Sequence, residues 1–201
     1  SSTDISNLDH FDPESLDYVY KAVKNIKNSL SEEIPLIGFC GSPWTLAAYS
    51  IEGRSSKDFE KTLNFLVSNQ KDVHNLLTKY TDACFLYLRR QVQSGADVIQ
   101  IFDSWANLLT KEGLIEYSFN YINALISALK LDPVTKNIPV IVFARNPKCN
   151  IEELINTSAD CISLYWSMND LNFELAKNKV AIQGNLDPKI LLESDETIKR
   201  E

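Results

Sequence analysis

Polar side chains able to do chemistry recur at one kind of place in this chain, just past the ends of short apolar runs. Asp103 and Ser104 follow DVIQIF, Arg145 follows IPVIVFA, and Asn185 and Asp187 follow VAIQ. Tyr49 lies one or two helical turns beyond a further run, PLIGFC. Together they offer a carboxylate, hydroxyls, an amide and a guanidinium. Neither histidine belongs to this set. His10 falls in the polar start of the chain and His74 within a long helical pattern, so imidazole acid–base catalysis and histidine metal ligation have no support. Each polar residue also has a plain structural use. Ser104 suits a turn or helix cap, Asp187-Pro188 a turn, Tyr49 a half-buried helix position, and Arg145 a solvated or ion-paired surface. Trp44 and Trp105 suit the filling of space between helix and sheet.

The elements that must position these groups read as alternating strands and helices. An amphipathic helix enters at Asp12-Pro13, with Leu16, Val19, Tyr20, Val23, Ile26 and Leu30 on one face. Strands are predicted over 34–39, 97–102, 138–144, 161–165 and 180–183. Between them helices are predicted from Thr45, from Ser56 as cap, over 71–93 with Gly95 as a left-handed terminus, from Thr110 to about 129, near 151–156 and over 171–177. A last helix is capped by Ser194. Most of the strands are apolar along their length, which predicts burial on both faces and a parallel sheet. Residues 1–11 are polar and predicted to be poorly ordered. No phosphate loop or Gly-rich dinucleotide fingerprint follows any strand, which disfavours a nucleotide-binding open sheet. The order fits part of a (β/α)8 barrel, a single-domain segment over 1–201 that is incomplete at both ends. A whole barrel needs eight strands and typically ~250 residues.

Composition bounds the function. The 201 residues are 44% hydrophobic and 23% charged, as in ordinary globular proteins. A net charge of −7 argues against nucleic acid, which demands clustered Lys and Arg. Cys40, Cys84, Cys149 and Cys161 lack the paired spacing of a zinc site or a disulfide framework and read as single thiols. No apolar run approaches the ~20 residues of a membrane helix, and the first residues have neither the basic region nor the apolar core of a signal peptide.

Several long blocks carry a more specific message. PLIGFCGSPWTLAAYSIEG followed by SSKDF, then SGADVIQIFDSWANLL, ISLYW and AIQGNLDPKILLES together resemble the uroporphyrinogen decarboxylase family, in order and spacing. The resemblance implies a (β/α)8 barrel whose third to seventh strands are present in this chain. It implies a cytoplasmic carboxy-lyase (plastid-located if a transit peptide precedes) that forms a homodimer, needs no cofactor, and touches neither nucleic acid nor membrane. Such an enzyme converts the four acetate side chains of uroporphyrinogen III to methyls, giving coproporphyrinogen III for porphyrin and heme biosynthesis. Residue by residue, Tyr49 and Ser104 match substrate-binding positions, and Phe39 and Phe102 match aromatic residues lining the macrocycle pocket.

The same resemblance assigns the catalytic aspartate, the substrate-holding arginines and a C-terminal histidine to regions outside these 201 residues. The segment therefore holds no catalytic residue of the family and is expected to be inactive alone. Arg54 charges what is usually a Gly-rich turn, Tyr165 stands where aspartate is common, Asn146-Pro147 replaces a Gly-containing turn, and Arg145 stands where lysine is usual. Two other readings stay open. One is the related barrel family of cobamide-dependent methyltransferases, which binds zinc through His and Cys. The other is a non-catalytic, truncated scaffold, whose open strand edges would favour pairing.

Overall fold

Capping residues and proline decide where each element starts. The computed structural model describes residues 2–8, 10–54, 56, 58–168 and 174–200. Where composition predicts poor order over 1–11, Ser2–Ser6 forms a short helix, α1, and its Ile5 joins the hydrophobic core. One buried aliphatic side chain gives this otherwise polar segment something to pack. A 3-10 turn, Pro13–Leu16, opens with the Asp12 carboxylate accepting the Glu14 N–H at 3.0 Å. It leads into α2, Asp17–Ser29.

Strand β1, Ile37–Gly41, begins later than predicted. Pro35 has no N–H to give a ladder. Helix α3, Pro43–Glu52, begins earlier than Thr45, because Ser42 is the cap that accepts the Thr45 N–H at 3.0 Å and Pro43 takes the first helical position. Gly53 ends α3 at φ 83°, where a Cβ would be strained. Ser56 accepts the Phe59 N–H at 3.2 Å just ahead of α4, Glu60–Ser68. Then come α5, Gln70–Gln93, closed by Gly95 at φ 112° as the sequence predicts, and β2, Val98–Asp103.

Thr110 caps α6, Lys111–Leu114, through the Gly113 N–H. The predicted single helix is interrupted by a π-helical turn, Ile115–Phe119, before continuing as α7, Asn120–Leu131. Next are β3 (Val140–Ala144), α8 (Ile151–Ile155), β4 (Cys161–Ser163) and β5 (Ala181–Gln183). Of the helix predicted over 171–177, residues 174–176 are helical and 171–173 lie outside the described residues. A 3-10 turn, Pro188–Leu192, precedes α9, Asp195–Arg200, where Ser194 accepts the Thr197 N–H at 3.3 Å as predicted.

All five strands are parallel and stand in the sheet in chain order. Sequential neighbours are what a barrel wall requires, whereas doubly wound sheets reverse order at a switch point. Cys40, Ile99, Ile101, Val140, Val142 and Ile162 are buried under the helices. The opposite face is tiered by register: Phe39, Gln100, Ile141, Cys161 and Ala181 align across it, then Gly41, Phe102, Phe143, Ser163 and Gln183. Burial on both faces, predicted from apolar strands, holds at the centre of this second face, where Gln100 and Ile141 are buried, and fails on the edge strand β1. Phe39 is 58% exposed and Ile37 42%. A barrel fills its inside with side chains from strands across the ring, and five strands in an open row supply none. None of the helices formed by the described residues is long and apolar enough to cross a membrane.

Candidate functional site

The open face carries a connected aromatic surface. The Phe39 and Phe102 rings meet edge to face at 5.9 Å and 89°, and Phe102 meets Phe143 at 6.0 Å and 66°. Such T-shaped contacts are the favoured geometry for ring quadrupoles. The structure thus brings together the two phenylalanines singled out from sequence and adds a third. Phe143 stands two residues before Arg145 as Phe102 stands two before Ser104, so strand alternation carried a readable signal for it. Phe39 is fixed from behind. Gln91 on α5, 3% exposed, accepts the Phe39 N–H at 3.1 Å and donates to its carbonyl at 2.9 Å.

A polar rim borders this surface. The Arg145 N–H donates to the Asp103 carbonyl at 3.0 Å, continuing the β2–β3 ladder one step past both strands. Strand alternation carried that step brings the Ser104 and Arg145 positions to the side of Phe102 and Phe143. Tyr49, 41% exposed, sets its ring edge against Trp105 at 5.9 Å and 82°. The Arg145 guanidinium carbon lies 5.9 Å from the centroid of the same indole. Phe59 supports Trp105 at 4.3 Å. Trp105, read from sequence as a space filler, is the platform on which Tyr49 and Arg145 converge, with Ser104 beside it in the chain.

Asp103 belongs elsewhere. It is fully buried on the helix-covered face, where it accepts the Thr45 hydroxyl at 3.0 Å and a short bond from Ser118. Burial pushes its carboxyl above the usual range, and bonds from Ser118, Thr45, Ser42 and the Trp105 backbone hold it back. It ties the end of β2 to the start of α3 and to the π turn. Asp187 accepts the Lys189 N–H at 2.9 Å, the plain turn role. Asn185 donates to the Met168 carbonyl at 2.5 Å, joining the ends of β4 and β5. Trp44 is buried and donates to the Trp105 carbonyl at 3.0 Å.

His74 faces α7, with Nδ1 2.8 Å from the Tyr121 hydroxyl and Nε2 3.2 Å from Glu116. All four cysteines are free, Cys40 and Cys84 buried and the other two partly so. Bonding to Cys84, together with burial, pushes the Cys40 thiol well up, and burial pushes Cys149 to about 12. Among the described residues no three His, Cys, Asp or Glu side chains stand close enough to hold a metal ion. A cavity of about 530 Å³ beyond the ends of β3 and β4 is lined by Asn146, Cys149, Glu152, Tyr165 and Met168 among others.

Comparison with known proteins gives this geometry a context. Residues 1–201 match the family described as uroporphyrinogen decarboxylase (URO-D). Proteins named uroporphyrinogen decarboxylase are similar along nearly the whole chain. That of Acinetobacter baumannii is 40% identical over 200 residues, covering 98% of this chain and 56% of the relative. That of Magnetococcus marinus is 42% identical over 199 residues, covering 97% and 56%. That of Pseudoalteromonas atlantica is 39% identical over 204 residues, covering 100% and 57%. The chain therefore spans a little over half the length of the relatives it matches.

Proposed function

Because this chain belongs to the uroporphyrinogen decarboxylase family, we propose that it forms the central wall of a (β/α)8 carboxy-lyase acting on uroporphyrinogen. The observation that carries the reading is the aromatic surface of Phe39, Phe102 and Phe143 bordered by Ser104 and Tyr49. A tetrapyrrole has apolar pyrrole faces ringed by carboxylates, and an apolar floor with hydroxyl donors at its edge matches that pattern. The phenylalanines bind ring faces and exclude water. The Tyr49 and Ser104 hydroxyls donate to acetate oxygens and fix which arm faces the chemistry. A neutral donor does so without the desolvation demand of a buried charge.

In the proposed reaction a proton adds to a pyrrole carbon beside the acetate arm. The electron pair of the bond to the carboxylate then flows into the ring and CO2 leaves. The exocyclic carbon takes up a proton to become a methyl, and the ring carbon gives its proton back. One proton replaces one CO2 at each of the four arms, and the pyrrole serves as electron sink without a cofactor. The proton donor and the arginines come from the rest of the barrel in this reading, which also takes the complete protein as a homodimer of the cytoplasm. The test is to incubate the complete protein with uroporphyrinogen and follow carboxylate loss by chromatography. Stepwise conversion to coproporphyrinogen is expected, and an unchanged substrate would overturn the reading.

A further inference from the structure

We propose that Arg145 is a carboxylate-binding residue for the substrate of this site, reaching one acidic arm while Tyr49 and Ser104 take others. Resting as it does on the decarboxylase reading, the proposal adds a charged contact to a rim otherwise built of hydroxyls.

Three observations converge on Arg145. Among the described strand positions that face the open side, continued one step past β2 and β3, it is the only charged residue. Every other is apolar or neutral. The backbone bond from its N–H to the Asp103 carbonyl fixes its level beside Ser104. The guanidinium leans over the Trp105 indole at 5.9 Å, on the ring that Tyr49 also touches. Stacking on an aromatic face orients an arginine and leaves its N–H fork free to meet a carboxylate in two places.

Charges nearby leave Arg145 available. Among the described residues it makes no ion pair. The adjacent acid, Asp103, is turned to the buried face and occupied by Thr45 and Ser118. Glu152 lines the neighbouring cavity rather than the aromatic surface, so that cavity repels an acidic arm. Need complements availability. The protein carries a net charge of −7 and the substrate eight carboxylates, so attraction must come from local cations. A carboxylate meeting Arg145 at the mouth of the apolar floor gains a charge-assisted bond in a site the macrocycle itself dries.

The experiment compares wild type, Arg145→Gln and Arg145→Lys in the complete enzyme. It measures KM, kcat, the salt dependence of KM and the thermal midpoint with uroporphyrinogen. Arg145→Gln is expected to raise KM about tenfold, the scale of one partly exposed charge-assisted bond. It should keep kcat within about twofold and flatten the rise of KM with salt. Arg145→Lys is expected to restore the salt dependence but only part of the KM, because lysine lacks the planar fork. An unchanged KM in an active Arg145→Gln enzyme overturns the assignment. So does a drop in thermal midpoint with kcat and KM affected together, since Arg145 would then serve the fold. A wild-type enzyme that leaves uroporphyrinogen untouched overturns the decarboxylase reading instead.

Discussion

Tyr49 on α3 and Asp103 at the end of β2 do opposite jobs. Tyr49 is 41% exposed, its ring is braced by Trp105, and in the proposed function its hydroxyl meets the substrate. In the complete enzyme Tyr49→Phe is expected to raise KM about three- to tenfold and lower kcat less than threefold, the mark of uniform binding lost. A loss of kcat by orders of magnitude with unchanged binding would make Tyr49 catalytic. Asp103 is fully buried, and desolvation outweighs the hydrogen bonds that favour its charge, so its carboxyl lies above the ordinary 3.8. Between that value and the raised one, the folded state holds more protons than the unfolded, and stability falls as pH rises through this window. Asp103→Asn removes the titration. The stability difference between wild type and Asp103→Asn, from urea midpoints at pH 3.5 to 7, is expected to favour wild type most at the acid end. A difference growing toward neutral pH would mean that the Ser118 and Thr45 bonds win over desolvation.

The helix–strand unit α5–β1 sets the aromatic surface through Gln91, whose amide takes both backbone groups of Phe39. Gln91→Leu would leave a part-buried N–H and carbonyl without their side-chain partner, a cost of about 1 kcal/mol. It is expected to lower the urea midpoint and speed amide exchange at Phe39, and unchanged exchange there would refute the clamp. Spacing puts Gln91 on the buried stripe of α5, three residues past Leu88 and seven past Cys84, but nothing local marks its partner, main chain 52 residues away. Strand and helix existence, by contrast, was legible, because continuous apolar runs, Asp12-Pro13, Thr110 and Gly95 act within a few residues of themselves. The π turn was illegible for the reason Gln91 was. Ser118 turns inward to reach Asp103, a partner 15 residues away that only the folded sheet brings near. At the site the family blocks pointed to Phe39, Tyr49, Phe102 and Ser104, while Trp105 as platform depends on side-chain packing among α3, α4 and the end of β2.

At the scale of the whole molecule, the proposed function has an anionic chain, −7 over 201 residues, help hold a more anionic substrate, and the five strands supply one side of the balance. Their open face offers apolar area, two hydroxyl-bearing side chains at its edge and the Arg145 cation. Among the described strand-end groups that face it there is neither a carboxylic acid nor an imidazole. The one carboxylate at the end of β2, Asp103, is locked on the other side of the sheet. Protonating a pyrrole carbon and returning a proton to the exocyclic carbon need a positioned acid, worth typically ~10²–10⁴-fold in rate. Hydroxyls and an arginine stabilise charge but move protons poorly near neutral pH, since their ordinary pKa values lie far above it. The 201-residue chain incubated alone with uroporphyrinogen is therefore expected to show no carboxylate loss above the buffer rate by chromatography. Turnover above that rate would overturn the division of labour and place a proton donor among the residues of these five strands and their loops. Arg145→Gln and Tyr49→Phe assayed in the same chain would then separate groups that hold the substrate from the one that protonates it.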